Sequence, residues 1–415
     1  MNWQTVPLRQ LITPNNKRNR PDLPLLSVVR DKGIIKRKLD KSDNHNIIPE
    51  DLSNYKVVSE GQFVINKMKA WQGSCGVSQY EGIVSPAYYV FDLNIGNPRF
   101  FNYAIRSRIF VDEFGRISSG IRVDQWDLSL QKLKYVLFLL PPREEQDQIV
   151  RYLDWKVSQI NKLINAKRRQ IELLVEQKRV LISTTVNKNL NNWETKRIKY
   201  LFSLRDERNY LPASDVRLLS LYAALGVFPT DEIEKTTGNK STTVENYKKV
   251  YTGDIVVNII LCWQGAIGLS IYDGVTSPAY DVYTPLTSEI CVNFYHYLFR
   301  TKWFGDECYK VGRGIMSMRW RVYSDKFTSI RVPVPLITEQ RSIVVYLDEQ
   351  CGHIDKVISK LNDEIALTTE YRARLISDVV TGKLDVRGVS VPEYDVVEQV
   401  MADLDGEIDF MENEG

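Results

Sequence analysis

Two stretches of this chain carry apolar residues at a spacing suited to a long helix. After Pro141-Pro142 they recur as Val150, Leu153, Val157, Ile160, Ile164, Ile171, Leu174 and Leu181. Further on they recur as Val344, Leu347, Cys351, Ile354, Ile358, Leu361, Ile365 and Leu375, ending near Gly382. A 3.5-residue period held over about five heptads predicts a coiled coil. About 40 residues at 1.5 Å each make a rod of roughly 60 Å. Glu144 and Glu145 fall where a helix N-terminus favours negative charge. Lys167 and Lys178 interrupt the first seam, and Thr368 and Arg372 the second. Isolated polar seam positions of this kind fix register and pairing.

Outside these stretches the pattern changes. GQFVINKMKA (61–70) and GDIVVNIILC (253–262) are short, β-branched runs that read as strands. Gly, Pro and Asn break the surrounding sequence into similar runs with helical stretches between them, so the fold class is α+β. The same run is written twice. NKMKAWQG (66–73) matches NIILCWQG (258–265), LLS (25–27) matches LLS (218–220), and SPAYYV (85–90) matches SPAYDV (277–282). NWQTVPLRQL (2–11) answers NWETKRIKYL (192–201), NYKVV (54–58) answers NYKKV (246–250), and EEQDQIVRYLD (144–154) answers TEQRSIVVYLD (338–348). The offset drifts from 190 to 194, as small insertions between matched blocks require. A duplication of this length means two copies of a whole domain plus connector.

The expected organisation is therefore a first domain over 1–140, a long helix over 141–188, a second domain over 189–334, a second long helix over 335–384, and a tail over 385–415. If the second helix returns along the first, the pair is antiparallel. The domains then sit at opposite ends of the rod, related by a pseudo-two-fold axis.

Composition narrows the class. With 415 residues, 43% hydrophobic and 26% charged, the chain reads as a soluble multidomain protein. MNWQTVPLRQLITPNN lacks the basic-then-apolar pattern of a signal peptide, and no apolar run reaches the roughly 20 residues of a membrane span, so a cytoplasmic location is expected. Cys75, Cys262, Cys291, Cys308 and Cys351 show no CxxC or metal-like spacing, which predicts free thiols. His45, His296 and His353 have no second ligand at useful spacing and read as satisfied or solvent-facing. The net charge of +3 conceals an asymmetry. Nine acids and no Lys or Arg follow Gly388, and taking away that −9 leaves +12 on residues 1–388. A basic body points to an anionic partner such as nucleic acid, and the acidic tail to a mobile arm or a docking strand.

Catalytic motifs are missing from the sequence. GNPRF (96–100) lacks the second proline of an Asn-Pro-Pro-aromatic adenine methyltransferase block. TGNKST (237–242) has an Asn between Gly238 and Lys240 and no upstream glycine, so it is not a phosphate-binding loop. Asp124 and Asp127 have no nearby histidine or metal-like cluster and read as solvated surface.

Two domains alternating with two long helices, each helix opened by PPREEQDQIVRYLD or PLITEQRSIVVYLD, with RLISDVVTGKLDVRG (374–388) close behind, resemble the specificity subunit of type I restriction-modification systems. The resemblance covers essentially residues 1–390. It implies that each globular part is a target recognition domain reading one half of a split, asymmetric double-stranded DNA site, with the helices holding the spacing. It implies no catalytic site and no cofactor in this chain. It also implies two methyltransferase partners that use S-adenosylmethionine, and restriction subunits that use ATP and magnesium. A coiled-coil adaptor that binds protein without DNA specificity is the alternative.

Residues identical in both copies cannot distinguish two half-sites, so Trp71-Gln72-Gly73 with Trp263-Gln264-Gly265, and Ser85 to Tyr88 with Ser277 to Tyr280, are expected to be framework. Readers should lie where the copies diverge. On an extended strand, Lys67 and Lys69 share a face with Phe63 and Ile65, where the second copy has Ile259 and Leu261. They either reach phosphate or guanine or form a solvated edge. A second region precedes each closing helix: Arg106, Arg108, Arg116 and Arg122 in the first copy, and Arg300, Lys302, Lys310, Arg313, Arg319 and Arg321 in the second. GRISSGIR (115–122) and KVGRGIMSMRWR (310–321) join Gly, which permits close approach, to Arg, which bridges guanine edges or phosphates. Ile149, Leu163, Ile343 and Val357, outside the main seam, are candidates for a methyltransferase surface or for flanking core.

Overall fold

The computed structural model describes residues 3–30, 32–37, 51–120, 126–188, 192–222, 226–230, 244–314 and 320–398. They fall into two units: residues up to 166 together with those from 363 onward, and residues 167–362.

In the first unit the entry strand Gln4–Pro7 pairs antiparallel with the exit strand Leu137–Leu140, so the chain enters and leaves the globular domain side by side. Between them a four-stranded antiparallel sheet runs in the order Ile12–Pro14, Tyr88–Leu93, Phe63–Asn66, Cys75–Val77. Both faces of this sheet are covered. Successive side chains of a strand point to opposite faces. Phe63 and Ile65 accordingly join one core with Phe100, Phe101, Phe114 and Phe138, while Val64 joins a second core with Leu26, Val58 and Val84. That is why all four residues of Phe63–Asn66 are buried. Each fully buried Phe or Ile contributes roughly 1.5–3 kcal/mol.

The second unit repeats the plan. Thr195–Arg197 pairs with Arg331–Pro333. The sheet order is Phe202–Arg205, Tyr280–Pro285, Ile255–Asn258, Ile267–Leu269. Ile255 and Val257 enter one core and Val256 the other. In each domain two helices follow the sheet, Pro98–Ile105 and Arg108–Ile117 in the first, Val292–Phe299 and Lys302–Val311 in the second.

The two long helices span Arg143–Asn187 and Ile337–Val380. Within each unit they run antiparallel. In the first, the Arg372 guanidinium donates to Asn161 Oδ1 at 2.7 Å; in the second, Lys178 Nζ donates to Asp355 at 2.7 Å. These are the same cross-link made twice, because an offset of 194 carries Asn161 onto Asp355 and Lys178 onto Arg372. Two of the four polar residues that interrupt the seams, Lys178 and Arg372, make these cross-links, whereas Thr368 donates to Glu364 O of its own helix. Ile149 is buried and Ile343 packs against the core of its domain, whereas Leu163 and Val357 stay exposed.

The block that opens each long helix fastens it to its domain. The Gln146 amide donates to Pro141 O (2.8 Å) and accepts from Asn97 N (2.9 Å). Gln340 likewise donates to Pro335 O (2.9 Å) and accepts from Cys291 N (2.9 Å). The aspartate that closes each YLD motif accepts from a tyrosine hydroxyl: Tyr103 to Asp154 at 2.9 Å, Tyr297 to Asp348 at 2.6 Å. Burial pushes the Asp154 carboxyl up and the Arg99 guanidinium beside it works the other way. GNPRF also has a structural role: Asn97 caps helix Pro98–Ile105 by accepting from Arg99 N and Phe100 N, with Pro98 in the first turn.

The start of the tail is docked along the first long helix without forming a strand. Gln148 donates to Val386 O (3.0 Å) and Val389 O (2.7 Å), Asn161 to Val397 O (3.0 Å), and Asn165 to Glu398 O (2.9 Å). Ser158 Oγ donates to Asp395 O and accepts from Val397 N, both at 2.7 Å.

Candidate nucleic-acid interface

The twice-written Asn-x₄-Trp-Gln-Gly frame is a strand terminator. The sequence predicts a strand running through Lys67 and Lys69; the strand ends at Asn66, and its counterpart ends at Asn258. The reason is an Asn side chain that competes for the backbone. Asn66 Oδ1 accepts from Met68 N (3.0 Å) and Lys69 N (3.3 Å), and Asn258 Oδ1 from Ile260 N (2.9 Å) and Leu261 N (3.3 Å). The chain then turns through a single 3₁₀ turn. Trp71 Nε1 donates to Met68 O (3.2 Å) and Trp263 Nε1 to Ile260 O (2.9 Å). Gly73 and Gly265 close the turn at φ of 88° and 89°, a left-handed conformation that favours glycine. The shared residues are framework, and Lys67 and Lys69 stand on a turn.

That turn holds the returning strand of a hairpin neck. Leu128 N donates to Lys67 O (2.9 Å), and in the second domain Val322 N donates to Ile259 O (2.8 Å). Ser118–Ser119 pairs with Asp127–Leu128, and Arg313 bridges Arg321, so each domain has a hairpin neck beside this turn. Trp71 lies against Trp126 with ring centroids 5.5 Å apart. In the second domain Tyr309 enters between their counterparts, 5.5 Å from Trp263 and stacked at 4.9 Å on Trp320. The first domain has Gly115 in place of Tyr309. A Cβ on Gly312 would run into the Trp320 indole nitrogen, which explains the glycine in this loop.

The predicted contact residues divide into kinds. Lys67 is held at 2.6 Å by Asp127. Arg116 pairs with Glu113 (3.1 Å) and Lys310 with Glu307 (2.5 Å), the same i,i+3 pair in both copies and largely exposed. Arg108, Lys302, Lys69, Arg313 and Arg321 are exposed. Arg106 and Arg300 are half-buried: Arg106 donates to Arg30 O (3.1 Å) and packs over Gly33, and the Arg300 guanidinium approaches His296 Nε2 at 3.4 Å. Arg122 and Arg319 lie outside the described residues, as do Asp124, His45 and the TGNKST stretch.

Two positions, one half-buried and one buried, escape motif reasoning. Asn102 Oδ1 accepts from Val77 N (2.9 Å), and at the matching place His296 Nδ1 accepts from Leu269 N (3.1 Å). Burial, then the nearby Arg300 and Lys178 charges, lower the His296 pKa to about 3, so the ring is neutral. Lys56 donates to Tyr88 O (2.6 Å) over the Tyr89 ring, whereas Lys248 forms a buried ion pair with Asp281 at 2.7 Å. The signal for the second was in the repeat, where SPAYYV and SPAYDV differ only at Tyr89 and Asp281; no matched block covers Asn102 and His296. His353 is exposed, and all five cysteines are free thiols. Among the described residues no group of three or more His, Cys, Asp or Glu could hold a metal, and no helix is long and apolar enough to cross a membrane.

The fold and these necks define a class: a duplicated α+β domain, each copy fastened to both members of an antiparallel helix pair and presenting a hairpin neck, which in the second copy carries two exposed arginines. No protein-family model and no curated protein sequence matches the chain. Among solved structures, similarity is found to a chain of one described as the structural basis underlying complex assembly and conformational transition of the type I R-M system. It covers 92% of this chain and 98% of that one, with a TM-score of 0.61 and 14% identity. The HsdS subunit from Thermoanaerobacter tengcongensis aligns over 93% of this chain and 97% of its own (TM-score 0.42, 14% identity). The type I restriction-modification system S subunit from M. genitalium aligns over 91% and 96% (TM-score 0.33, 13% identity). The first of these shares its fold with this chain.

Proposed function

We propose that this chain is the DNA sequence-specificity subunit of a type I restriction-modification complex. It has no catalytic role of its own; each domain reads one half of a bipartite, asymmetric double-stranded site and the helix pair fixes the separation. The observation that carries this reading is the architecture, two copies of one domain on an antiparallel helix pair, shared over 92% of the chain with a type I R-M system structure. The +12 balance of residues 1–388 and the exposed Arg313 and Arg321 of the second neck support an interface with DNA phosphates and base edges.

Duplicated apolar positions support two equivalent docking places for methyltransferase subunits. In the first unit Leu163 (48% exposed) and Leu367 (66%) lie on the two helices; in the second, Leu173 (56%) and Val357 (44%) do. The 194 offset carries Leu163 onto Val357 and Leu173 onto Leu367. S-adenosylmethionine would be held by those partners, and ATP and magnesium by restriction subunits. The test is long-read methylome sequencing of a strain expressing this chain with its neighbouring methyltransferase, against the same strain with this chain deleted. Loss of one bipartite adenine-methylated motif is expected. An unchanged methylome with the methyltransferase present and folded would favour the protein-binding adaptor.

A further inference from the structure

Because the domain is duplicated, each hairpin neck has an internal reference. The 194 offset carries Ser119 and Asp127 onto Arg313 and Arg321, the residues that close the neck in each domain. The two necks hang from equivalent carbonyls, those of Lys67 and Ile259, at 2.9 and 2.8 Å. Their backbones agree, and their charges do not.

In the first domain the Asp127 carboxylate holds the Lys67 ammonium at 2.6 Å, so the neck carries one balanced pair. In the second, Ile259 replaces Lys67, and among the described residues no acid pairs with the neck. Arg313 and Arg321 face each other across an antiparallel bridge closed by two backbone hydrogen bonds of 2.9 and 2.8 Å. Both are exposed, and neither forms an ion pair among the described residues. Like charges directly opposite on a ribbon oppose its formation. A local conflict with folding that nothing nearby compensates is expected at a functional site. Two exposed arginines paired across one ribbon suit the oxygens of a phosphodiester.

We propose that the Arg313–Arg321 neck of the second domain is a clamp on the DNA phosphate backbone, and that the equivalent neck of the first domain makes no such contact because Asp127 occupies Lys67. This rests on the DNA-binding reading above and deepens it: the two half-sites are held with unequal electrostatic strength, and the one under the second domain is the more salt-sensitive.

The experiment is a KCl titration of the full chain binding fluorescent random-sequence duplex DNA. Each phosphate contact contributes about 0.9 to the slope of log Kd against log salt. The double variant Arg313→Gln/Arg321→Gln is expected to lower that slope by about 1.8, and Asp127→Asn, which releases Lys67, to raise it by about 0.9. All three side chains are solvent-accessible, and thermal melts of each variant verify folding. An unchanged slope in the folded double variant overturns the clamp, and an unchanged slope in folded Asp127→Asn overturns the silent neck. A misfolded Asp127→Asn variant leaves the double variant to decide the clamp. Absence of duplex binding by the unaltered chain at low salt is a different result, and removes the DNA-binding reading itself.

Discussion

At the scale of single residues, the duplication offers natural substitutions with known outcomes. Lys248 and Asp281 are buried together, and removing one partner of such a pair leaves an uncompensated charge. Asp281→Ala is expected to destabilise the second domain by about 3–5 kcal/mol. Asp281→Tyr restores the arrangement of the first domain, a lysine over an aromatic ring, and should cost clearly less. Urea unfolding of both variants measures this, and equal losses would show that the carboxylate itself is required. His296 supplies a pH test. Its folded pKa of about 3 lies below the ordinary 6.5, so the unfolded chain binds the extra proton between those values. The second domain should be at full stability above pH 6.5 and lose about 1.4 kcal/mol per unit as pH falls toward 3. His296→Asn, the residue of the first copy, should abolish that contribution; an unaltered pH profile of stability would refute it. Neither residue was legible as structural from sequence, because a buried ion pair and a neutral histidine differ from surface groups only in their surroundings.

At the scale of elements, the long helices were legible in the sequence and the strand ends were not. An apolar period of 3.5 residues sustained over several heptads fits a helix burying one narrow seam and fits neither a strand nor a loop, and the Pro-x₄-Gln blocks marked where the helices begin. GQFVINKMKA looks extended throughout, yet Asn66 turns the chain by capturing two amides, and only neighbouring backbone geometry makes that bond available. The Gln clips give the element-scale prediction. Gln340→Ala leaves Pro335 O and Cys291 N buried without their partner, at about 1–3 kcal/mol, and should speed hydrogen exchange of the Cys291 amide. Unchanged exchange would show that the helix is fastened elsewhere. Gly312→Ala should push Trp320 off Tyr309, because a Cβ there would collide with the indole nitrogen. Loss of tryptophan fluorescence anisotropy at an otherwise intact second domain is the expected sign.

At the scale of the whole molecule, the proposed function makes the helix pair a ruler. Inserting one base pair in the DNA spacer moves the far half-site by about 3.4 Å and turns it by roughly a tenth of a helical turn. Methylation should therefore be lost with any single-pair change of spacer length and be indifferent to spacer sequence. Activity on several spacer lengths would refute a rigid ruler. Exchange of residues 12–140 for another member's domain should alter one half-site only.

The sequence by itself determined the duplication, the α+β class, the helix pair and two of the polar positions that cross-link it, Lys178 and Arg372. These follow from periodicity and from matched blocks, which survive without knowledge of what packs against what. Only the tertiary structure decided which charges are spoken for. Lys67 and Arg321 are both basic residues in divergent loops, but one lies 2.6 Å from an aspartate sixty residues away in the chain and the other faces a second arginine. Coulomb energy depends on distance in space, and the sequence records distance along the chain.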